Sequence, residues 1–383
     1  MEGLKVLIAN ATMASLTGTE TYVRDLALGL LRKGHTPIVY APELGELAGQ
    51  LRAATVPVVE DLSAVGVTPD IIHGNHNTEL MSALLHFHNV PAVFFCHSWT
   101  DWVSSPPAHP RILAYVAVDD TCRDRLLCEH GIPEERLRVV LHAADLERFR
   151  PRGPLPTRPR RALIFSNNAN KWTHLAAVRE ACVRAEIELD VVGAGVDTQT
   201  NSPESILGNY DLVFAKARCA QEALAVGAAV ILCDARGSGP LVTTNELERL
   251  RRLNFGIRTL SEKIDPELLL RQIERYDAAD AAEVSRHFRA GSDLGSVVDE
   301  ALALYVDVID EYRGLPPPDP LEETRAAAVY MRWLTLTVRR RQAEYESMLA
   351  NSLTLRLRNR VGEFPLAGRL LSRLASLARR GDA

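Results

Sequence analysis

Lys5–Tyr40 reads KVLIANATMASLTGTETYVRDLALGLLRKGHTPIVY, and this stretch decides the fold class. Lys5–Ala9 is a short apolar run, the pattern of a buried strand. Thr17-Gly18-Thr19 makes a polar turn. From Glu20 to Lys33 the residues Tyr22, Val23, Leu26, Leu30 and Leu31 recur at helical spacing and fall on one side. Gly34 follows the last periodic residue, where a glycine closes a helix, and Thr36–Tyr40 returns to strand. Strand, helix and strand in succession predict a βαβ unit and a parallel sheet.

The alternation continues outward. Asp70–His73, Ala92–Cys96 and Tyr115–Val118 read as further strands bounded by turn residues. Arg150–Arg161 (RPRGPLPTRPRR) then packs four prolines and five arginines into one segment, the composition of a linker rather than a core element. Beyond it the pattern restarts: strand Ala162–Ser166, helix Thr173–Ala185, strands Glu188–Val192 and Leu212–Ala215, helix Cys219–Val226, strand Ala229–Cys233. The expected organisation is one α/β domain over 1–150, a linker over 151–161, a second α/β domain over 162–298, a crossover helix over 299–313 and a helical basic tail over 314–383. In that tail Leu366, Leu370, Leu371, Leu374 and Leu377 fall on one side of a helix and Arg369, Arg373, Arg379 and Arg380 on the other. Residues 366–380 therefore read as a peripheral membrane contact, against a helix packed on the body or an oligomer contact.

A chain of 383 residues suits two domains. Its net charge of −5 excludes a general nucleic-acid binder, and no nucleic-acid partner is expected. The charge is uneven: Leu315–Ala383 carries +5 and the preceding residues −10. Six scattered cysteines without a CxxC pair read as small buried residues in a reducing compartment. The first residues, MEGLKVLIANA, lack the pattern of a signal peptide, and no apolar run approaches the ~20 residues of a membrane span. A cytoplasmic protein is expected, peripheral on the inner membrane face if the tail binds there.

Ligands of paired α/β domains bind in the cleft at the carboxyl ends of the strands. Thr17-Gly18-Thr19-Glu20 exposes backbone N–H groups at a helix start, which suits a phosphate, or is simply a tight turn. Lys171, past the first strand of the second domain, is expected in the cleft as a point charge for a pyrophosphate, or is a solvated lysine. Lys216 and Arg218 flank the start of the next helix. Glu222 in that helix can take both hydroxyls of a ribose, or cap the helix. His73, His76 and His97 stand at strand ends, with His97 at the mouth of the first domain. Gly193-Ala194-Gly195 imitates a dinucleotide fingerprint but has Thr198 at the sixth position, which excludes NAD. No Asp-x-Asp occurs, so no metal against a diphosphate is expected.

At these residues the chain resembles the group 1 (family 4) glycosyltransferases. The resemblance covers most of residues 4–312. Thr17–Glu20 and Tyr22–Ala27 are similar to the family's first loop and helix. Gly34-His35, Pro69–His73 and Phe94–His97 are similar to further strand steps. Val139–Pro151 is similar to the segment before the linker, Leu189–Gly195 to a glycine-rich strand end, and Gln221–Gly227 to the E-A-x-A-x-G helix. The resemblance implies a GT-B fold, two Rossmann-like domains facing a central cleft, here with a helical C-terminal tail. It implies a retaining transfer of a hexosyl or similar sugar from a nucleotide-sugar donor to a carbohydrate or lipid-linked acceptor. Cell-envelope, polysaccharide or secondary-metabolite glycan synthesis is the expected setting, with no cofactor beyond the donor substrate. Gly18 and Thr19 would offer backbone contacts near the diphosphate, Lys171 and Arg218 its charge compensation, Glu222 the ribose contact, and His97 a catalytic contact near the reacting sugar. The chain departs from the family at Phe214, where an acid eight residues before Glu222 is usual, and in having one glycine in the first loop. A non-catalytic GT-B subunit or sugar-nucleotide-binding protein of a glycan assembly complex is the alternative, and an epimerase on the same fold a further one.

Overall fold

The computed structural model of the chain describes residues 3–14 and 17–351. The N-terminal lobe runs β1 (Lys5–Ala9), β2 (Thr12–Met13), α1 (Gly18–Arg32), β3 (Thr36–Tyr40), β4 (Glu43–Leu44), α2 (Glu46–Ala53), β5 (Val58–Val59), β6 (Ile71–Gly74), α3 (Asn77–His86), β7 (Ala92–Cys96), β8 (Ile112–Ala117), α4 (Asp120–Asp124) and β9 (Leu137–Val139). Seven of these strands form one all-parallel sheet in the order β5-β3-β1-β6-β7-β8-β9, while β2 and β4 pair separately. Helices cover both faces, so the central strands are buried throughout and read as unbroken apolar runs such as AVFFC in β7. The strand order reverses between β1 and β6.

The second lobe runs β10 (Arg161–Phe165), α5 (Leu175–Arg184), β11 (Glu188–Val192), β12 (Leu212–Ala215), α6 (Ala217–Val226), β13 (Ala229–Asp234), β14 (Gly237–Leu241), α7 (Thr244–Arg252), α8 (Pro266–Glu274) and α9 (Ala278–Gly291). Its sheet has the order β11-β10-β12-β13-β14 and reverses between β10 and β12. The first four strands are parallel and β14 is antiparallel to β13. Two apolar clusters fill this lobe's sides. Phe214 of β12, fully buried, belongs to the one under α5 and α8.

Helix α10 (Leu294–Gly314) returns to the first lobe and packs on α1. Gly29 makes that approach close: a Cβ there would lie 2.5 Å from Val298 Cγ2. Lys33 Nζ adds an ion pair to Asp299 at 2.7 Å, and the Tyr305 hydroxyl reaches His73 at 2.7 Å. The helix begins five residues before the Asp299 start read from the sequence, because Asp293 caps it by accepting the Ser296 N–H at 3.1 Å. Helix α11 (Pro320–Asn351) forms a unit by itself and opens on a proline, which is tolerated in a first turn. No helix among the described residues is long and apolar enough to cross a membrane. The amphipathic segment 366–380, with the membrane contact expected of it, lies outside the described residues.

Candidate active site

The two sheets present their points of strand reversal to one cleft. Three adjoining cavities occupy it. One of about 340 Å³ is lined by Thr17, Gly18, Arg148, Val192, Gly193 and Glu222, among others. A small central one of about 130 Å³ is lined by Gly18, Thr19, His97, His142, Ala217, Arg218, Gln221 and Asn254. One of about 440 Å³ lies beyond, against His97, Trp99, Asp119, Lys216, Arg236 and Asn254. Shared residues join them: Gly18 and Arg218 line the first two, and His97, Ala217 and Asn254 the last two.

Two helices start at the central cavity, one from each lobe. Helix α1 begins at Gly18 and α6 at Ala217, and neither Thr17 nor Lys216 caps its helix with a side-chain hydrogen bond. The opening amides of both helices, apart from that of Ala217, are therefore left as donors at the cleft. Gly18 adds room, since a Cβ built there meets nothing within 4 Å. The α6 start is held under strain: Ala217 has φ 47° and donates its N–H to Phe255 O at 2.8 Å, and Asn254 and Phe255 have φ of 55° and 49°. Non-glycine residues there cost ~1–3 kcal/mol each, which the surrounding packing must hold.

The second lobe's wall is charged. Arg218 donates from Nε to Glu222 Oε1 at 2.9 Å and from Nη2 to Asp25 Oδ2 of α1, across the cleft. Arg24 holds the other oxygen of Asp25 at 2.6 Å. Burial opposes the Asp25 carboxylate, but Arg218 and Arg24 hold it below its usual range. Burial outweighs Arg218 at Glu222 and raises its carboxyl. Lys216 Nζ pairs with buried Asp234 at 2.7 Å, and Asn168 Nδ2 donates to Asp234 at 3.2 Å.

The first lobe contributes a cluster of neutral histidines. Asn75 Oδ1 lies 3.1 Å from His73 Nε2 and 2.8 Å from His97 Nε2, and His97 Nδ1 lies 3.4 Å from His142 Nε2. The Tyr22 ring packs on all three imidazoles, with centroids 4.7–5.9 Å away. Burial drives His73 down to about 3 and His142 to about 4, Arg218 adding to the latter. Burial and the neighbouring imidazoles hold His97 well below its usual value. His76 falls to about 4 through burial and accepts the Ala11 N–H on Nδ1 at 3.0 Å.

Comparison with known proteins places this arrangement. A glycosyltransferase from Rickettsia africae superposes with a TM-score of 0.59 over 81% of this chain and 99% of its own, at 15% identity. The fold is GT-B. Residues 60–148 match the family model of Glycosyltransferase Family 4, in agreement with the resemblance of the motifs. HepE from Anabaena, solved in complex with UDP and glucose, is similar over 79% of this chain and all of its own, at 13% identity and a TM-score of 0.58. A sucrose-phosphate synthase from Thermosynechococcus elongatus is similar over 81% and 100%, at 14% identity and a TM-score of 0.55. No curated protein matches the sequence.

Set in the GT-B cleft, the expected site residues divide. Gly18, Thr19, His97, Arg218 and Glu222 meet around the central and 340 Å³ cavities. Lys171 does not. It is exposed, its ammonium lies 4.9 Å from the ring centroid of the equally exposed Trp172, and it lines none of the three cavities. The expectation that it points into the cleft is corrected: the turn after β10 carries it outward, and Lys216 is the lysine on the cleft wall. Arg218 is already engaged by Asp25 and Glu222. Both ring nitrogens of His97 are committed to Asn75 and His142. Gly193 and Gly195 serve close packing, since Cβ atoms there would lie 2.0 Å from Ser166 O and 2.3 Å from Ala169 O. Asn75 and His142 escaped the reading of the sequence. Asn75 follows a strand that had already yielded a histidine, and His142 lies in a segment valued only as a family match.

Proposed function

We propose that this chain is a glycosyltransferase that binds a nucleotide sugar in the GT-B cleft and transfers the sugar to an acceptor. The observation that carries the reading is the pair of uncapped helix starts, Gly18 and Ala217, opposed across one small cavity. A helix start attracts anions through its free N–H groups and its dipole; two of them suit a diphosphate. The 340 Å³ cavity takes the nucleoside, with Glu222 Oε2 free among the described residues to bond the ribose. Lys216 supplies charge as the diphosphate leaves, a contribution of ~3–4 kcal/mol for a well-placed group. The 440 Å³ cavity takes the acceptor, and its polar walls and Trp99 suit a carbohydrate. Retention of configuration and a hexosyl donor follow from the family resemblance. Cell-envelope, polysaccharide or secondary-metabolite glycans, made on the cytoplasmic side, are the proposed setting, and a divalent metal has no part in it.

Two observations favour a second reading, a GT-B subunit that binds a nucleotide sugar without turnover. The Phe214 position, acidic in the family, is fully buried in the core, and Arg218 already pairs with Glu222.

Calorimetric titration of UDP, GDP, ADP, CMP and dTDP, with thermal-shift measurement, tests the site, because a ligand of the native state raises apparent stability. Saturable binding of one nucleotide, weakened by Lys216→Ala, is expected. No binding would overturn the reading. Binding without release of nucleotide diphosphate from any donor–acceptor pair would move it to the non-catalytic form.

A further inference from the structure

The hydrogen positions along the first lobe's wall follow from its heavy atoms. Asn75 Nδ2 lies 3.4 Å from the Ala9 carbonyl, which only an amide nitrogen can address, so Oδ1 is turned to the histidines. That oxygen accepts only, and it faces the Nε2 atoms of His73 and His97 at 3.1 and 2.8 Å. Each Nε2 therefore carries a proton. A neutral imidazole has one N–H, so His97 Nδ1 is bare and must accept from the nitrogen 3.4 Å away, His142 Nε2. At the far end the Tyr305 hydroxyl donates to the bare His73 Nδ1 at 2.7 Å. Burial keeps all three rings neutral near pH 7. The chain of bonds thus ends on His142 Nδ1, an acceptor without a partner among the described residues.

We infer that His142 Nδ1 accepts a hydrogen bond from a hydroxyl of the transferred sugar, and that Asn75 is the positioning residue that fixes this tautomer through His97. The inference rests on the nucleotide-sugar reading. His142 lines the central cavity beside Arg218, Gly18 and Ala217, whereas Asn75 is fully buried and lines none of the three cavities. A bare imidazole nitrogen repels a phosphate oxygen and welcomes an O–H. The two walls therefore sort the ligand: phosphates go to the helix starts and the Lys216 side, and the first hydroxyls of the sugar to His142.

Two measurements test it on the full chain. The first is nitrogen NMR of histidine-labelled protein between pH 6.5 and 8. His142 is expected in the Nε2–H form, lost in Asn75→Leu and kept in Asn75→Asp, whose carboxylate still accepts. An Nδ1–H His142 in the unaltered chain overturns the inference, as does the same tautomer in a folded Asn75→Leu. The second is calorimetry with UDP and UDP-glucose. His142→Leu is expected to lower the affinity for UDP-glucose roughly 10–100-fold and leave that for UDP unchanged. His142→Asn, with a carbonyl near the Nδ1 position, keeps most of it. Equal losses for both ligands, or none for UDP-glucose, overturn the sugar contact. If another of the five nucleotides binds in place of UDP, the same comparison is made with that nucleotide and its glucose conjugate; if none binds the unaltered chain, the nucleotide-sugar reading falls with the sugar contact, while the tautomer result stands on its own.

Discussion

The two lobes have the same architecture and opposite chemistry at their strand ends. The first carries His73, His97 and His142 at or just beyond its strand ends, all kept neutral by burial. The second ends its strands in the ion pair of Lys216 and Asp234 and opens α6 with that of Arg218 and Glu222, although burial raises the Glu222 carboxyl. A sheet with helices on both faces does not dictate which it will be. The residue types do, and here they assign the anionic part of a ligand to one wall and the uncharged, hydroxyl-bearing part to the other.

The most severe test of the comparison restores the family's acid to the charged wall. Phe214→Glu would place a carboxylate inside the cluster of Ala162, Ile164 and Ile231. A loss of ~3–5 kcal/mol in denaturant unfolding is expected, since a buried unpaired charge cannot be compensated there. A stable, more active variant would show that Phe214 has access to the cleft.

Next comes the meeting point of the walls. Gly18→Leu meets no neighbour within 4 Å at its Cβ, so melting should change little while nucleotide binding falls at least ~100-fold through lost space. On the charged wall alone, Lys216→Ala should weaken nucleoside diphosphate binding roughly 10–100-fold, and Lys171→Ala by less than about twofold. The reverse order in calorimetry would return the phosphate to Lys171.

The histidine cluster of the first lobe is tested by pH. His73, His76, His97 and His142 have folded-state values below the ordinary 6.5. Unfolded chains bind more protons than folded ones below that value, so their contribution is complete above pH 6.5 and is lost progressively as pH falls towards the folded values of about 3 to 4. Each can contribute up to ~1.4 kcal/mol per pH unit. Urea unfolding at pH 7, 6 and 5 should show the decline, and a flat profile would mean that these rings are not desolvated.

Much of this was legible in the sequence. Lys5–Ala9, Thr36–Tyr40, Ala92–Cys96 and Leu212–Ala215 are strands with the bounds their apolar runs indicate, because a strand buried on both faces carries its signal in consecutive residues. Strand β14 was not legible: Gly-Ser-Gly-Pro-Leu has poor strand propensity, and it forms because an edge tolerates Pro240 and because Gly239 lets Thr259 O approach to 2.4 Å of where a Cβ would be. The site was legible where position along a helix sets direction, as at Gly18 and Glu222. It failed at Lys171, where the direction of a turn decides, and at Asn75 and His142, whose meaning is a contact between distant strand ends.

Three arginines of the second lobe reach aspartates of the first: Arg218 to Asp25, Arg252 to Asp120 at 2.6 Å, and Arg258 to Asp124 at 2.6 Å. All three have the same polarity, and attraction between these side chains draws the lobes together. Two of the three are exposed and within reach of dissolved ions, which weaken such attraction steeply. Ionic strength thereby becomes a dial on how tightly the jaws rest together, and a molecule bathed in concentrated salt should admit and discharge its ligands faster than one in dilute buffer, with no change to a single residue that touches them.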